Sequence, residues 1–276
     1  MEELVYADRS DRGNLRFTGP QRAWFLHQIM TQAFEDMAPG DARDAAMITA
    51  HGRMLGYLEV AATDDALLAH FEPSLLATLP HEIRRYVFAT RVEIEDVSAD
   101  MGLVLLAGEG WESAAARVEG AIVHPTSSLG IPAAYLWVTD TAAALAALKE
   151  NAREATEDEL EAVRVAHGVP RWGYEMDLKT IPQEAGIEAR AVHFDKGCYL
   201  GQEAMAKIHF RGKVNRRVVL IQSENRLERG AEVVLDGATV GKVTSVAGSR
   251  GLALVKHTVG PDAQVSVGES PARVVS

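Results

Sequence analysis

Lys196-Gly197-Cys198-Tyr199-Leu200-Gly201-Gln202-Glu203 is the densest stretch of chemistry in the 276-residue chain. Two glycines flank the chain's one cysteine and an aromatic residue. Gln202 and Glu203 follow as side chains able to hydrogen-bond a planar group. Lys196 is close in sequence to Cys198, and a nearby cation favours a thiolate. Gly201 predicts the start of a helix whose free N–H groups also favour an anion. Two readings of Cys198 stay open at this level: a small buried hydrophobe at a glycine-rich turn, or a nucleophile. The second needs a base, and spacing alone assigns that role to neither His193 nor His209.

Downstream, Lys207, His209, Arg211, Lys213, Arg216 and Arg217 form a basic run uninterrupted by any acidic residue. It reads either as a holder of an anionic tail such as glutamate or phosphate, or as a solvated strand face between two domains. Beyond Gly212 the texture is that of a small β-domain, with short runs at 217–222, 231–235, 239–246, 252–256 and 264–267 broken by glycines. Asp236-Gly237 is a strong hairpin signal within it. Upstream, residues 169–190 contain Pro170, Gly173, Pro182 and Gly186 and read as an ordered loop long enough to carry function. Glu184 lies in that loop, and a carboxylate there can accept two N–H bonds from an amino-pyrimidinone edge.

The first two hundred residues mix strand and helix. Strands are expected at 15–19, 45–49 and 54–61, the last two joined by a tight connection at His51-Gly52-Arg53. A helix is expected from Pro20 with Trp24, Ile29 and Met30 inward, and another over 72–86 from the spacing of Leu75, Leu76, Leu79 and Ile83. Residues 87–96 read as strand. A second unit then runs through a strand at 103–107, a helix at 111–118, a strand at 135–139 and a helix at 142–151. Thr156 with Glu159 three residues on predicts a capped helix that ends near Gly168. Asp8, Asp11 and Arg12 are polar cleft candidates. The expected division is 1–211, itself split near 100, and 212–276.

Composition limits the function. Apolar residues make up 47% and charged residues 24%, a globular balance. The apolar run at 101–107 is far too short to span a membrane. The acidic start lacks the basic and apolar segments of a signal peptide, so a cytoplasmic protein is expected. With 39 acidic against 28 basic side chains the formal charge is −11, which argues against a direct nucleic-acid binder. One cysteine cannot form an internal disulfide or complete an iron–sulfur cage. The nine histidines show no His-x-x-x-His spacing, and there is no phosphate-binding or dinucleotide glycine fingerprint, so no metal site is expected.

The segment from Lys196 to Glu203 resembles the signature of the YgfZ family, folate-binding relatives of the glycine cleavage T-protein. The likeness extends upstream through Arg164, Gly168-Val169-Pro170, Gly173-Tyr174-Glu175 and Pro182-Gln183-Glu184. Downstream it continues through Gly212-Lys213-Val214 and Arg216-Arg217, and more loosely it takes in residues 15–60. The resemblance implies an α+β, three-lobed cloverleaf: two mixed α/β lobes and a C-terminal β-barrel around a central tetrahydrofolate pocket. It places Lys196 and Cys198 in the functional motif, with Cys198 facing the pocket, and gives Glu184 the pterin-holding role. Tyr199, Gln202 and Glu203 are further cofactor-binding candidates, and Arg211 and Lys213 candidates for the folate carboxylates. The implied function is folate-dependent support of iron–sulfur cluster assembly or repair in client enzymes, including tRNA-modifying ones. The alternative is a folate-dependent one-carbon transferase or demethylase.

One departure bears on that alternative. Where aminomethyltransferases carry paired aspartates, this chain reads Gly56-Tyr57, with Glu59 two or three positions further on. A one-residue slip in a strand turns a side chain to the other face. Aminomethyl transfer is therefore not expected.

Overall fold

The glycine-punctuated runs beyond Gly212 close into a six-stranded barrel. Its strands follow the order Arg216–Ser223, Arg250–Lys256, Ala238–Ala247, Glu232–Leu235, Gln264–Val267 and Ser270–Val274. The computed structural model describes residues 3–212 and 214–275. Asp236 (φ 51°) and Gly237 (φ 78°) both adopt the left-handed conformation that a two-residue hairpin needs, and they join two barrel strands as expected. The strand at 270–274 is absent from the sequence reading. Pro271 and Arg273 disguise it, and only Ala272 and Val274 face the barrel core.

The remainder builds two five-stranded sheets. The first is wholly antiparallel, with strands Ala42–Ile48, Met54–Ala62, Leu67–Phe71, Gly13–Thr18 and Glu93–Asp96 in spatial order. The second runs Arg153–Glu154, Val5–Asp8, Gly102–Ala107, Ala133–Val138 and Ile122–Pro125, so the opening strand of the chain joins the later sheet. That strand, the one at 67–71 and the one at 122–125 were not expected. Leu67–Phe71 is buried along its whole length, so it shows no alternation by which a strand could be recognised.

The expected helix over 72–86 is corrected to a 3₁₀ turn, Pro73–Leu75, followed by a short helix, Leu79–Arg84. Pro73 and Pro80 explain the break, because proline lacks an N–H and suits only a first helical turn. Leu76, expected inside, is exposed. The first helix is confined to Arg22–Ile29; it turns Phe25, Leu26 and Ile29 inward and leaves Trp24 exposed. The capping box at Thr156 and Glu159 forms in full at the head of the helix Glu157–Ala166.

Alternation in the second sheet decides how the two sheets meet. Tyr6, Val104, Leu106 and Leu136 turn to one face, under the helices Trp111–Ala115 and Thr141–Lys149. Leu103, Leu105, Tyr135 and Trp137 turn to the other, where they pack with Ala61 and Leu68 of the first sheet. Trp137 Nε1 donates to Asn14 Oδ1 across this interface at 3.2 Å, so a buried polar group of one sheet is satisfied by the other.

Candidate functional site

Between the two sheets lies a cavity whose polar wall comes mainly from Arg12, Tyr57, Glu59, His70, Glu72 and Arg171. Tyr57 and Glu59 are two residues apart on the strand Met54–Ala62 and share its cavity face. Gly56 faces the opposite way: a Cβ there would lie 2.6 Å from Leu79 Cδ1, inside the apolar core. Only position 57 of the Gly56-Tyr57 pair is thus a cavity position. Glu59 lies two residues along the same strand face, so an acid is present in the cavity wall.

Glu59 is buried and accepts from the Thr126 hydroxyl. Burial pushes its carboxyl above the ordinary range, against the opposing pull of Thr126 and Arg12. Asp44 is its register partner on the neighbouring strand, and burial followed by the Glu59 charge lifts Asp44 to about 6. Tyr57 donates its hydroxyl to Asp44 at 2.7 Å, and the Arg190 guanidinium lies 5.4 Å from the Tyr57 ring centroid. Glu72 behaves oppositely. Burial pushes it up, but Arg12 at 2.7 Å and a two-pronged contact from Arg171 at 3.0 and 3.1 Å outweigh that and hold it below its ordinary value. The cavity therefore holds one carboxyl predisposed to keep a proton and one predisposed to shed it.

His70 pairs directly across from Glu59 on the strand Leu67–Phe71, and His124 reaches the same place from the second sheet. Burial, and for His70 also Arg12, pushes its imidazole well below the ordinary value. Burial brings His124 down to about 4. Burial thus biases both rings toward the neutral form. Sequence spacing missed this group because its members lie on three strands. Of the cavity residues the sequence offers Arg12 as a polar cleft candidate and Glu59 as the acid beyond the Gly56-Tyr57 pair.

The residues of the Lys196 to Glu203 segment do not line this cavity. Lys196 is buried, and its ammonium donates to the carbonyls of His27, Met30 and Gln32 at 2.5, 2.6 and 2.7 Å. All three of its donors are spent on the end of the first helix and the chain beyond it, leaving none for Cys198. Lys196 Nζ also sits 4.6 Å from the centroid of the buried Tyr199 ring. Cys198 is exposed and does not line this cavity, while Tyr199 beside it is buried. Gly201 (φ 82°) begins the helix Gln202–Arg211 as expected, and it packs so tightly on Thr49 that a Cβ would meet the Thr49 carbonyl at 2.4 Å. Glu203 is exposed in the first turn of that helix and Gln202 is half-buried at its start.

Glu184 is buried, but Arg216 engages both of its oxygens, at 3.2 and 3.0 Å. A pterin edge approaching Glu184 has to compete with that guanidinium. The basic run is not one cluster: Arg216 serves Glu184, Arg217 donates to the Val259 carbonyl, and Lys207 is exposed. Arg211 closes the helix Gln202–Arg211, its side chain lies outside the described residues, and so does Lys213.

Comparison with known proteins gives the class first. Over 100% of its length the chain superposes on 86% of the glycine cleavage system aminomethyltransferase T from Bartonella henselae, with a TM-score of 0.89 at 15% identity. The fold is that of the T-protein, α+β with a closed C-terminal barrel. Residues 215–275 match the family model of the CAF17 C-terminal beta-barrel domain. The tRNA-modifying protein YgfZ of Yersinia pestis is 27% identical over 232 residues, spanning 78% of this chain and 70% of that protein. A chloroplastic putative transferase of Arabidopsis thaliana is 25% identical over 311 residues, spanning 99% of this chain and 70% of the relative. The chain thus combines the T-protein fold with a C-terminal barrel that matches the CAF17 barrel model, and it is similar in sequence to proteins named YgfZ. No helix among the described residues is long and apolar enough to cross a membrane.

Proposed function

We propose that this protein binds tetrahydrofolate or a derivative in the cavity between its sheets and acts in the cytoplasm as an accessory factor for iron–sulfur enzymes, including those that modify tRNA. The observation that carries the reading is the T-protein fold along the whole chain enclosing a part-buried polar cavity. Arg12 and the Glu59 carboxyl offer a cation and a hydrogen-bonding acid to a bicyclic heterocycle. Glu184 lies outside that wall and holds a ligand edge only by releasing Arg216. The relatives named for tRNA modification support the client class. Cys198, exposed and the chain's one thiol, suits a transient exchange with a client better than storage of a cluster.

Anaerobic calorimetric titration with tetrahydrofolate tests the binding half. A micromolar dissociation constant, about −8 kcal/mol, is expected. Absence of heat at millimolar ligand refutes it. The client half is tested by restoring Cys198→Ala to cells lacking the protein. Cluster-dependent enzyme activity should stay low; full restoration removes Cys198 from the function.

A second reading, a folate-dependent one-carbon transferase, is favoured by one observation: an acid with a raised pKa stands in the cavity at Glu59. Transfer of labelled carbon from an amine donor to tetrahydrofolate, abolished in Glu59→Gln, is the outcome that selects it. Equal background with both proteins rejects it.

A further inference from the structure

We propose that Glu59, His70 and His124 form a binding site for one divalent first-row transition-metal ion, set in the wall of the cavity and open toward it. One donor atom from each residue lies within 4.8 Å of the other two, and all three residues are buried, at 4%, 1% and 1% exposure. They come from three strands in two sheets. Glu59 and His70 are direct register partners, and His124 approaches from the opposing sheet with its Nε2 at 3.7 Å from Glu59 Oε2. The two imidazole centroids are 5.5 Å apart.

The unpaired atoms are what point to a ligand. His70 Nε2 and His124 Nδ1 are buried and have no hydrogen-bond partner. An orphaned buried polar atom costs about 1–3 kcal/mol, and His70 Nε2 is the one that counts here, because His124 turns Nε2 and not its orphaned Nδ1 toward Glu59. Two histidines and one carboxylate with open positions are the ligand set of mononuclear iron(II) oxygenase sites and of hydrolytic zinc sites.

The surroundings fit an outer shell. Thr126 donates to Glu59 and fixes the carboxylate, as outer-shell hydroxyls do around metal ligands. Arg12 is the opposing feature, because its Nη1 lies 3.4 Å from His70 Nδ1. An arginine only donates, so that contact keeps the His70 proton on Nε2. Ligation through Nε2 moves the proton to Nδ1, and Arg12 must then fall back on Glu72, to which it is already bonded at 2.7 Å. Metal bonds of about 2.0–2.2 Å also require the three side chains to draw together by roughly an ångström. Glu59 and His70 line the cavity, so a bound ion would keep its remaining positions accessible from it.

The test uses the full-length protein stripped with a chelator and titrated with cobalt(II), whose visible absorption reports its ligands, followed by competition with zinc(II) and anaerobic iron(II). One equivalent should bind, with a spectrum of nitrogen and oxygen ligands and no thiolate charge-transfer band. Glu59→Gln, His70→Asn and His124→Asn should each weaken binding at least tenfold, whereas Cys198→Ser and His209→Asn should not. Should the buried variants fail to fold, the wild-type spectrum and stoichiometry still decide. No saturable cobalt band, a thiolate band, or undiminished affinity in a folded Glu59→Gln/His124→Asn protein overturns the proposal. The readout is independent of folate, so failure of the cavity to bind tetrahydrofolate leaves it standing.

Discussion

Replacing Arg164 with methionine should loosen the barrel from the rest of the molecule. Arg164 lies on the helix Glu157–Ala166 and is 3% exposed. It donates to Glu161, to Glu175 Oε2 at 3.0 Å, to the Val169 carbonyl and to Ser245 Oγ on the barrel. Glu175, 1% exposed, also accepts from Thr244 and Ser245 of the barrel and from the Arg171 N–H. The substitution removes the partner charge and leaves a buried carboxylate with only neutral donors. Stripping one partner from a buried ion pair costs about 3–5 kcal/mol. At about 2.1 cal/mol/K per residue over 276 residues, that lowers the melting temperature by about 5–9 °C. Trp24, Trp111, Trp137 and Trp172 all precede residue 212, and no aromatic residue occurs in 212–276, so tryptophan fluorescence sees only the two sheets. Far-ultraviolet circular dichroism sees the barrel as well. The two urea transitions should coincide in the wild type and separate in Arg164→Met. The double variant Arg164→Met/Glu175→Gln, with no charge left unpaired, should regain at least about 1.5 kcal/mol over Arg164→Met. A loss below about 1 kcal/mol, or a double variant no better than the single, would refute the reasoning.

Other outcomes follow from the same accounting of buried groups. Lys196→Met strands three carbonyls and should cost about 3 kcal/mol or more in urea denaturation, while the exposed Cys198→Ser should stay within about 0.5 kcal/mol of wild type. Gly56→Ala drives a methyl group into Leu79 and should cost about 1–3 kcal/mol; an unchanged midpoint would mean that Leu79 is free to move. Glu72 has a depressed folded-state pKa, so its contribution is present above the unfolded value of 4.5 and is lost as pH falls through the folded value. The stability gap between wild type and Glu72→Gln should therefore shrink as pH drops below 4.5, and a gap constant down to pH 2 would contradict the assignment.

What the sequence disclosed follows from what its local signals encode. Asp236-Gly237 and the Thr156 capping box are short-range devices, and both form as read. Leu67–Phe71 was hidden because burial on both faces erases alternation, and the segment at 72–86 was misread because leucine spacing concealed two prolines. The cavity was less legible still. Its walls join residues as distant as Arg12, Glu59, His124 and Arg171, and only pairing and sheet packing bring them together. The signature at Lys196 to Glu203 did identify the fold, yet its Lys196 serves the chain itself, donating to three backbone carbonyls.

Glu59 carries the argument about chemistry furthest. A strand preserves its face over a step of two, so positions 57 and 59 both face the cavity but have different neighbours. Glu59 accepts from the Thr126 hydroxyl and lies opposite His70 and beside His124 of the other sheet, while Tyr57 bonds Asp44. The carboxyl is enclosed by the two imidazoles rather than by solvent. Its raised pKa and the unpaired Nε2 of His70 both follow from burial between the two sheets. Moving the acid to position 57, as Tyr57→Asp/Glu59→Val, should therefore separate the carboxyl from the histidine pair and abolish cobalt(II) binding. Retention of the cobalt spectrum in that folded variant would show that Glu59 is not a ligand.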